Sequence, residues 1–318
     1  MKVGFVGLGT TGGGIAANLQ RAKFPLTVNA RRRETAEPFL VAGAAWAKTP
    51  RELAEGSDVV FVCLPEPKEV EQVVSGPNGV LAGMQPNAAL FDLTTNAPDM
   101  VRRLHAQFAE RGALFFDAPI SGGPRGAASG KMAIWVGGDA EAYQRFEPVL
   151  RAIADQPRYV GPIGAGSITK LVNNCSTYII TCALAETFAV GVKAGIEPLA
   201  LWEAVRSGAL GRRRTFDGMI DQVLPGLFEP AAFALRLARK DVGLMVDLAH
   251  ALDVPMPFGE QTLAELDESI ERGWAELDSR AVAMLPNERA GVSIAVQPER
   301  LRDALRRDPP ATGDPKHG

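Results

Sequence analysis

Three places in the chain combine residue types that can do chemistry. The first is Gly7-Leu8-Gly9-Thr10-Thr11-Gly12, which closes the apolar run Val3–Val6 and opens the helical run Ile15-Ala16-Ala17-Asn18-Leu19. In a strand-turn-helix of this kind Gly7 permits the tight turn, Gly9 lets the backbone approach a pyrophosphate, and Gly12 lets the helix pack close to the strand. The first helical amides, at Thr10 and Thr11, then face the anion. A glycine-rich turn alone would satisfy the pattern, but its position after a strand and before a small-residue helix favours a dinucleotide. The expected second strand ends in Val28-Asn29-Ala30-Arg31-Arg32-Arg33, without the acid that would bind the ribose hydroxyls of NAD. The guanidinium groups of Arg31 and Arg32 suit the 2′-phosphate of NADP instead. A solvated basic cap is the alternative reading of these arginines.

The second place is a helix with one isolated cation. Lys170 is the first charged residue of the apolar helix expected over 167–194, and the next is Glu186. An ammonium in such surroundings is costly unless it has a partner or a task. Asn174 lies four residues on, hence on the same helix face. The competing reading is a lysine in the first turn that reaches water along its own stem. The third place is Asp117-Ala118-Pro119-Ile120-Ser121-Gly122-Gly123-Pro124, after the strand 114–116. It offers a hydroxyl and consecutive unobstructed amides, a cradle for a carboxylate or else a plain structural turn.

Other catalytic schemes find less support. None of Tyr143, Tyr159 and Tyr178 is followed four residues later by lysine. His105 and His250 fall in amphipathic helical stretches and His317 in the C-terminal tail. Cys63, Cys175 and Cys182 are scattered, with no C-x-x-C pair, so neither a disulfide framework nor a metal site is expected, and a reducing cytoplasm fits.

The elements that must position these groups follow from the hydrophobic pattern. Residues 1–160 alternate apolar runs (Val3–Val6, Leu26–Val28, Val59–Leu64, Ala88–Phe91, Leu114–Phe116) with helical spacing, the rhythm of β-α-β units. Beyond Gly161-Pro162 the alternation stops and long helical segments follow, punctuated at Gly195, Pro225-Gly226 and Pro255-Met256-Pro257. The expected organisation is an α/β domain with a parallel sheet over 1–162, an all-α domain over 163–290, and a disordered tail over 291–318. The chain has 318 residues, 34 Lys+Arg and 37 Asp+Glu, a formal charge of 34 − 37 = −3, which argues against nucleic acid or an anionic membrane as partner. The most apolar window, 171–185, carries Asn173, Asn174, Ser176, Thr177 and Thr181 and is too short and polar for a membrane span, so it reads as a buried helix.

Taken in order, GLGTTGGGIAANL (7–19), DLTTNAP (92–98), DAPISGGPRGA (117–127), GAGSITKLVNN (164–174) and RKD (239–241) resemble the motifs of the β-hydroxyacid dehydrogenases, over roughly residues 1–290. The resemblance implies an N-terminal α/β Rossmann domain with a doubly wound, mostly parallel sheet and an all-α C-terminal domain with a long connecting helix. It implies an oxidoreductase that uses NADP or NAD to interconvert a small β-hydroxyacid and its semialdehyde, assembled as a homodimer or homotetramer. It implies Lys170 as acid/base, Asn174 as its substrate-orienting neighbour, and Ser121, Gly122 and Gly123 as the carboxylate site. Thr95 would lie near nicotinamide and substrate, Lys240 would close over either, and Leu64 and Pro65 would join the cofactor-binding set. Two departures stand out: Ala30-Arg31-Arg32 replaces the Asn-Arg-Thr of NADP-preferring members, and Arg212-Arg213-Arg214 makes a basic segment, in a region that often borders the substrate in the family, that reads as a solvated turn or as a group for an anion. An imine reductase, a fold relative that generally lacks the lysine, and a catalytically silent cofactor-binding protein remain the rival readings.

Overall fold

A computed structural model describes residues 1–307, apart from 198–200, 203, 206, 213, 252 and 292. The chain divides into two compact units, Met1–Ser176 and Thr177–Gly318. The first is built on a nine-stranded sheet. Strands β1 (Val3–Val6), β2 (Leu26–Asn29), β3 (Ala45–Trp46), β4 (Val59–Val62), β5 (Ala89–Asp92) and β6 (Leu114–Asp117) run parallel in the order β3-β2-β1-β4-β5-β6. That is the doubly wound dinucleotide-binding order, whose ligands sit beyond the carboxyl ends of the strands where the order reverses, here between β1 and β4.

One phenylalanine per strand sets the register. Phe5, Phe61, Phe91 and Phe116 are neighbours across β1, β4, β5 and β6, and their rings stack at 6.2, 5.6 and 4.5 Å. The opposite face carries Val60, Leu90 and Phe115 into a second core with Phe108. Both faces are therefore buried, as a parallel sheet requires, and a one-residue slip would interchange the two sets. The same register brings Val6, Val62, Asp92 and Asp117 level at one edge, so the chain leaves four adjacent strands side by side.

The helices of this unit are α1 (Thr10–Arg21), α2 (Glu37–Val41), α3 (Pro50–Glu55), α4 (Pro67–Ser75), α5 (Val80–Gly83), α6 (Pro98–Ala109), α7 (Gly123–Ser129) and α8 (Ala140–Ile153). Three strands follow β6: β7 (Ile120–Ser121), β8 (Ala133–Gly137) and β9 (Gln156–Gly161). Strand β8 is antiparallel to β6 and β7 and parallel to β9. Strands β3, β7 and β9 escape the apolar-run pattern, since β3 and β7 have two residues each and β9 includes Pro157 and Arg158, whereas β8 is an apolar run, Ala133 to Val136, absent from the expected strands.

Helix α9 (Ala165–Lys193) begins in the first unit and ends in the second. The expected boundary after residue 162 marks the approach to this helix, whereas the two compact units divide within it. It is not the buried helix expected over 171–185: Leu171, Val172, Ile179, Ile180 and Leu184 are exposed. The second unit continues with α10 (Leu235–Ala251), α11 (Pro257–Glu271), α12 (Met284–Ala290) and α13 (Pro298–Arg307), and its described residues contain no strand. Its cores are small, one around Val190, Val246, Ala249 and Met256 and another around Leu235, Leu266 and Ala281. Buried Asp278 ties the second together by accepting from the backbone N–H groups of Ala232 and Arg280 at 3.0 and 3.1 Å. Helix α13 lies within the stretch expected as a tail from 291. It has no buried residue, and i,i+3 pairs Glu299–Arg302 and Asp303–Arg306 support it on its own surface. Residues 308–318 of that tail lie outside the described ones.

Candidate active site

The glycine turn follows β1 at the level edge of the sheet. Gly7 has φ +100°, and a Cβ there would stand 2.2 Å from the Cys63 carbonyl oxygen, so the crossing of the β1 and β4 ends admits only glycine. A Cβ on Gly12 would stand 2.0 Å from the Gly7 oxygen, which is the close helix-strand approach inferred from the sequence. Gly9 differs: a Cβ there would meet nothing within 4 Å. Its packing in the chain does not require glycine, and the space above it suits a group from outside. The first turn of α1 carries no acid and no side-chain cap, leaving its amides and positive dipole end for an anion. These features fit a dinucleotide pyrophosphate.

At the end of β2, Arg31 and Arg32 are exposed, and neither is in an ion pair among the described residues. Arg33 is engaged, 3.9 Å from Glu37 and over the Trp46 ring at 5.8 Å. After β4, the Leu64 N–H donates to Thr94 Oγ1 at 3.1 Å, joining the turn at Leu64-Pro65 to the loop after β5. Burial, with Asp92 nearby, pushes the Cys63 thiol up to about 12, so it stays protonated and is no nucleophile.

Asp92 ends β5 and organises the next loop. Its carboxylate accepts from Thr94 N–H and from Asn96 Nδ2, both at 3.0 Å, while Asn96 Oδ1 accepts from Ala97 N–H. Thr94 and Asn96 are thereby buried, and Thr95 between them is exposed. Burial pushes the Asp92 carboxyl up to about 6. Sequence reasoning singled out Thr95 and overlooked Asp92, Thr94 and Asn96. The available signal was an acid closing each of two adjacent apolar strands, Asp92 and Asp117.

Asp117, the last residue of β6, leads directly into the Ser121-Gly122-Gly123 loop. Gly122 and Gly123 have φ of +145° and +60°, and a Cβ on Gly123 would meet nothing within 4 Å. A Cβ on Gly122 would instead stand 3.0 Å from Met132 Cγ, so between the end of β7 at Ser121 and the start of α7 it is Gly123 that turns to open space. Helix α9 brings Lys170 half-buried, with its ammonium pushed below the ordinary 10.5 by burial. Asn174, one turn on, accepts from Asn173 Nδ2 at 3.1 Å. Lys240 lies in α10 in the second unit, and its side chain is outside the described set. Arg212 is exposed in a turn and Arg214 pairs with Asp217 at 3.4 Å, while Arg213 lies outside the described residues. His105 faces the Phe115 carbonyl at 3.3 Å and His250 pairs with Glu260, so both have structural partners. Among the described residues, no helix is long and apolar enough to cross a membrane.

Comparison with known proteins agrees with this geometry. Residues 2–180 match the family described as the NAD binding domain of 6-phosphogluconate dehydrogenase. Residues 164–285 match the one described as NAD-binding of NADP-dependent 3-hydroxyisobutyrate dehydrogenase. The NAD-dependent L-serine dehydrogenase of Pseudomonas aeruginosa is 32% identical over 289 residues, covering 89% of this chain and 97% of that one. A Mycobacterium tuberculosis 3-hydroxyisobutyrate dehydrogenase solved with L-serine is 28% identical, with a TM-score of 0.63 over 88% of this chain and 97% of that one. An imine reductase from a Pseudomonas species, 20% identical with a TM-score of 0.73 over 89% and 98%, shares the fold. With a dinucleotide turn at the switch point and relatives matched over nearly their whole length, the chain belongs to the β-hydroxyacid dehydrogenase family and is an NAD(P)-dependent oxidoreductase.

Proposed function

We propose that this enzyme interconverts a small β-hydroxyacid and the corresponding semialdehyde, with Lys170 as general acid/base. The observation that carries the reading is a half-buried lysine whose pKa is lowered by burial, on a helix whose start is tied to the end of β6. L-serine and 3-hydroxyisobutyrate, named for the relatives, share a carboxylate and a hydroxyl on the β-carbon. The Ser121 hydroxyl and the Gly122 and Gly123 amides would take the carboxylate, and Asn174 would orient the reacting hydroxyl beside Lys170. Thr95 and Lys240 complete the substrate end. A bound nicotinamide supplies the two-electron exchange. Neutral Lys170 takes the hydroxyl proton in oxidation, and its ammonium returns a proton to the carbonyl oxygen in reduction.

Gly7, Gly9, Thr10, Thr11 and Gly12 would hold the pyrophosphate, with Leu64 and Pro65 alongside. Arg31 and Arg32, which have no competing ion pair among the described residues, favour NADP over NAD. We assign the working form to a homodimer or homotetramer in the cytoplasm. The test of the reaction is Lys170→Met. Turnover should fall on the order of 10²–10⁴-fold with NADP(H) affinity retained. Lys170→Arg should not restore it, because a guanidinium does not release its proton. In the wild type, oxidation should rise with pH through the depressed lysine pKa, and that limb should vanish in Lys170→Met. Near-normal turnover in Lys170→Met would leave the lysine as a solvent-reaching side chain and bring the imine-reductase reading forward.

A further inference from the structure

We propose that Asp117 is a positioning residue: its carboxylate locks the start of α9 to the end of β6, fixing Lys170 relative to the Ser121-Gly122-Gly123 loop. The inference rests on the acid/base reading of Lys170 and adds a residue on which that lysine's placement depends.

The contacts are specific. Asp117 is 1% exposed, and its two oxygens serve two different amides: Gly164 N–H reaches Oδ1 at 2.8 Å, and Ser167 N–H reaches Oδ2 at 2.6 Å. The residue before α9 is Gly164, which has no side chain to cap a helix. Asp117 does that work from a distant part of the chain, taking N–H groups that the first helical turn leaves without partners and placing a negative charge at the positive end of the dipole.

The surroundings leave little freedom. A Cβ on Gly166 would stand 2.5 Å from the Asp117 carbonyl oxygen and 2.3 Å from that of Trp135, and one on Gly137 would stand 2.4 Å from Asp117 Oδ1. The helix backbone therefore touches β6 and β8 directly, with the carboxylate as the fitted piece between them. Lys170 follows Ser167 by three residues, a rise of about 4.5 Å along the helix. Ser121 follows Asp117 by four residues on the strand side of the contact. One side chain thus stands between the proposed proton carrier and the proposed carboxylate cradle. Burying a carboxylate is unfavourable, and burial does push this one up despite its amide bonds. A fold needing only a packed contact could use an apolar side chain there at lower cost.

Asp117→Asn tests the idea, since it keeps the shape but turns an N–H donor toward one of the two amides. NADPH affinity should be unchanged, which reports a folded nucleotide domain. The kcat should fall on the order of 10- to 100-fold, the penalty of a displaced catalytic group. The lysine pKa in the oxidation profile should rise toward its ordinary value as α9 loosens, and KM for the hydroxyacid should increase. Asp117→Ser, smaller and with one acceptor, should act in the same direction and serves if the asparagine variant is poorly folded. A lowered melting temperature with wild-type kcat and pH profile would make Asp117 a cap for stability alone and overturn the proposal. Loss of NADPH binding in both variants would also overturn it. Lys170→Met separates the two readings: if it is inactive while Asp117→Asn is normal, only the positioning role fails, and if it is active, the acid/base role itself fails.

Discussion

A guanidinium distinguishes NADP from NAD only through the extra phosphate, so its neighbours decide whether it is free to do so. Three arginines follow β2, and one of them is already engaged: Arg33 has Glu37 and the face of Trp46. Arg31 and Arg32 are exposed with no ion pair among the described residues, and the strand end lacks the acid that would repel a phosphate. A charge-assisted hydrogen bond contributes about 1.5–3 kcal/mol, so Arg31→Ala should weaken NADP binding about 10- to 100-fold. Affinity for NAD should hardly change. Titration of both cofactors against wild type and variant reads the difference directly, and an equal loss for both would remove Arg31 from the phosphate site. The arginine cluster and the choice of Arg31 and Arg32 within it were read from the sequence, but what engages Arg33 was not, because that depends on Trp46 arriving beside it from another strand.

At the scale of elements, the site is a row of strand ends brought level by ring packing. Asp92 and Asp117 are register partners on β5 and β6, and each pins the loop or helix that follows it. Asp92 has a measurable consequence for stability. Its carboxyl is raised from 3.8 to about 6, chiefly by burial, so between those values the folded chain holds a proton that the unfolded chain has released. Stability must then fall as pH rises through this window and level off above it, by on the order of 3 kcal/mol for this group. Thermal melts from pH 4 to 7 should show the wild type losing stability relative to Asp92→Asn over that span. Parallel curves would mean that the aspartate is ionised at no cost. The strands β1, β2, β4, β5 and β6 and the glycine turn were legible because local patterns specify them: continuous apolar runs buried on both faces, and a spacing with a steric cause. The pinning carboxylates were not. Asp92 reaches only two to four residues along the chain, within an unremarkable polar loop, while Asp117 reaches 47 and 50 residues away. Strands β7 and β9 were missed for a related reason, since β8 supplies the pairing that keeps two-residue β7 and proline-containing β9 extended; β8 itself, an apolar run, was legible and passed over.

For the whole molecule, the question is what covers α9. The helix has 29 residues, about 44 Å of length, and leaves Ile168, Leu171, Val172, Ile179, Ile180, Leu184 and Val192 exposed along it. In the second unit, Ile180 and Leu184 line an apolar cavity of about 940 Å³ with Phe188, Trp202, Val205 and Leu210. Apolar residues scattered singly over a surface need no explanation, but a run of them on one helix marks an interface. A second copy of the chain offers the same run, so a closed homo-oligomer, the assembly proposed above, would cover the helix without any further component. The sequence showed the helix as uncharged between Lys170 and Glu186 and suggested burial; the exposed apolar residues of the single chain leave that burial to the proposed partner. Light scattering at micromolar concentration should accordingly give the mass of a dimer or tetramer. The double variant Ile180→Glu, Leu184→Glu, which would place like charges in that interface, should shift the protein toward the monomer while its nucleotide domain still binds NADPH. A wild-type monomer at that concentration, or an oligomer indifferent to both glutamates, would mean that the assembly does not use this face of the helix.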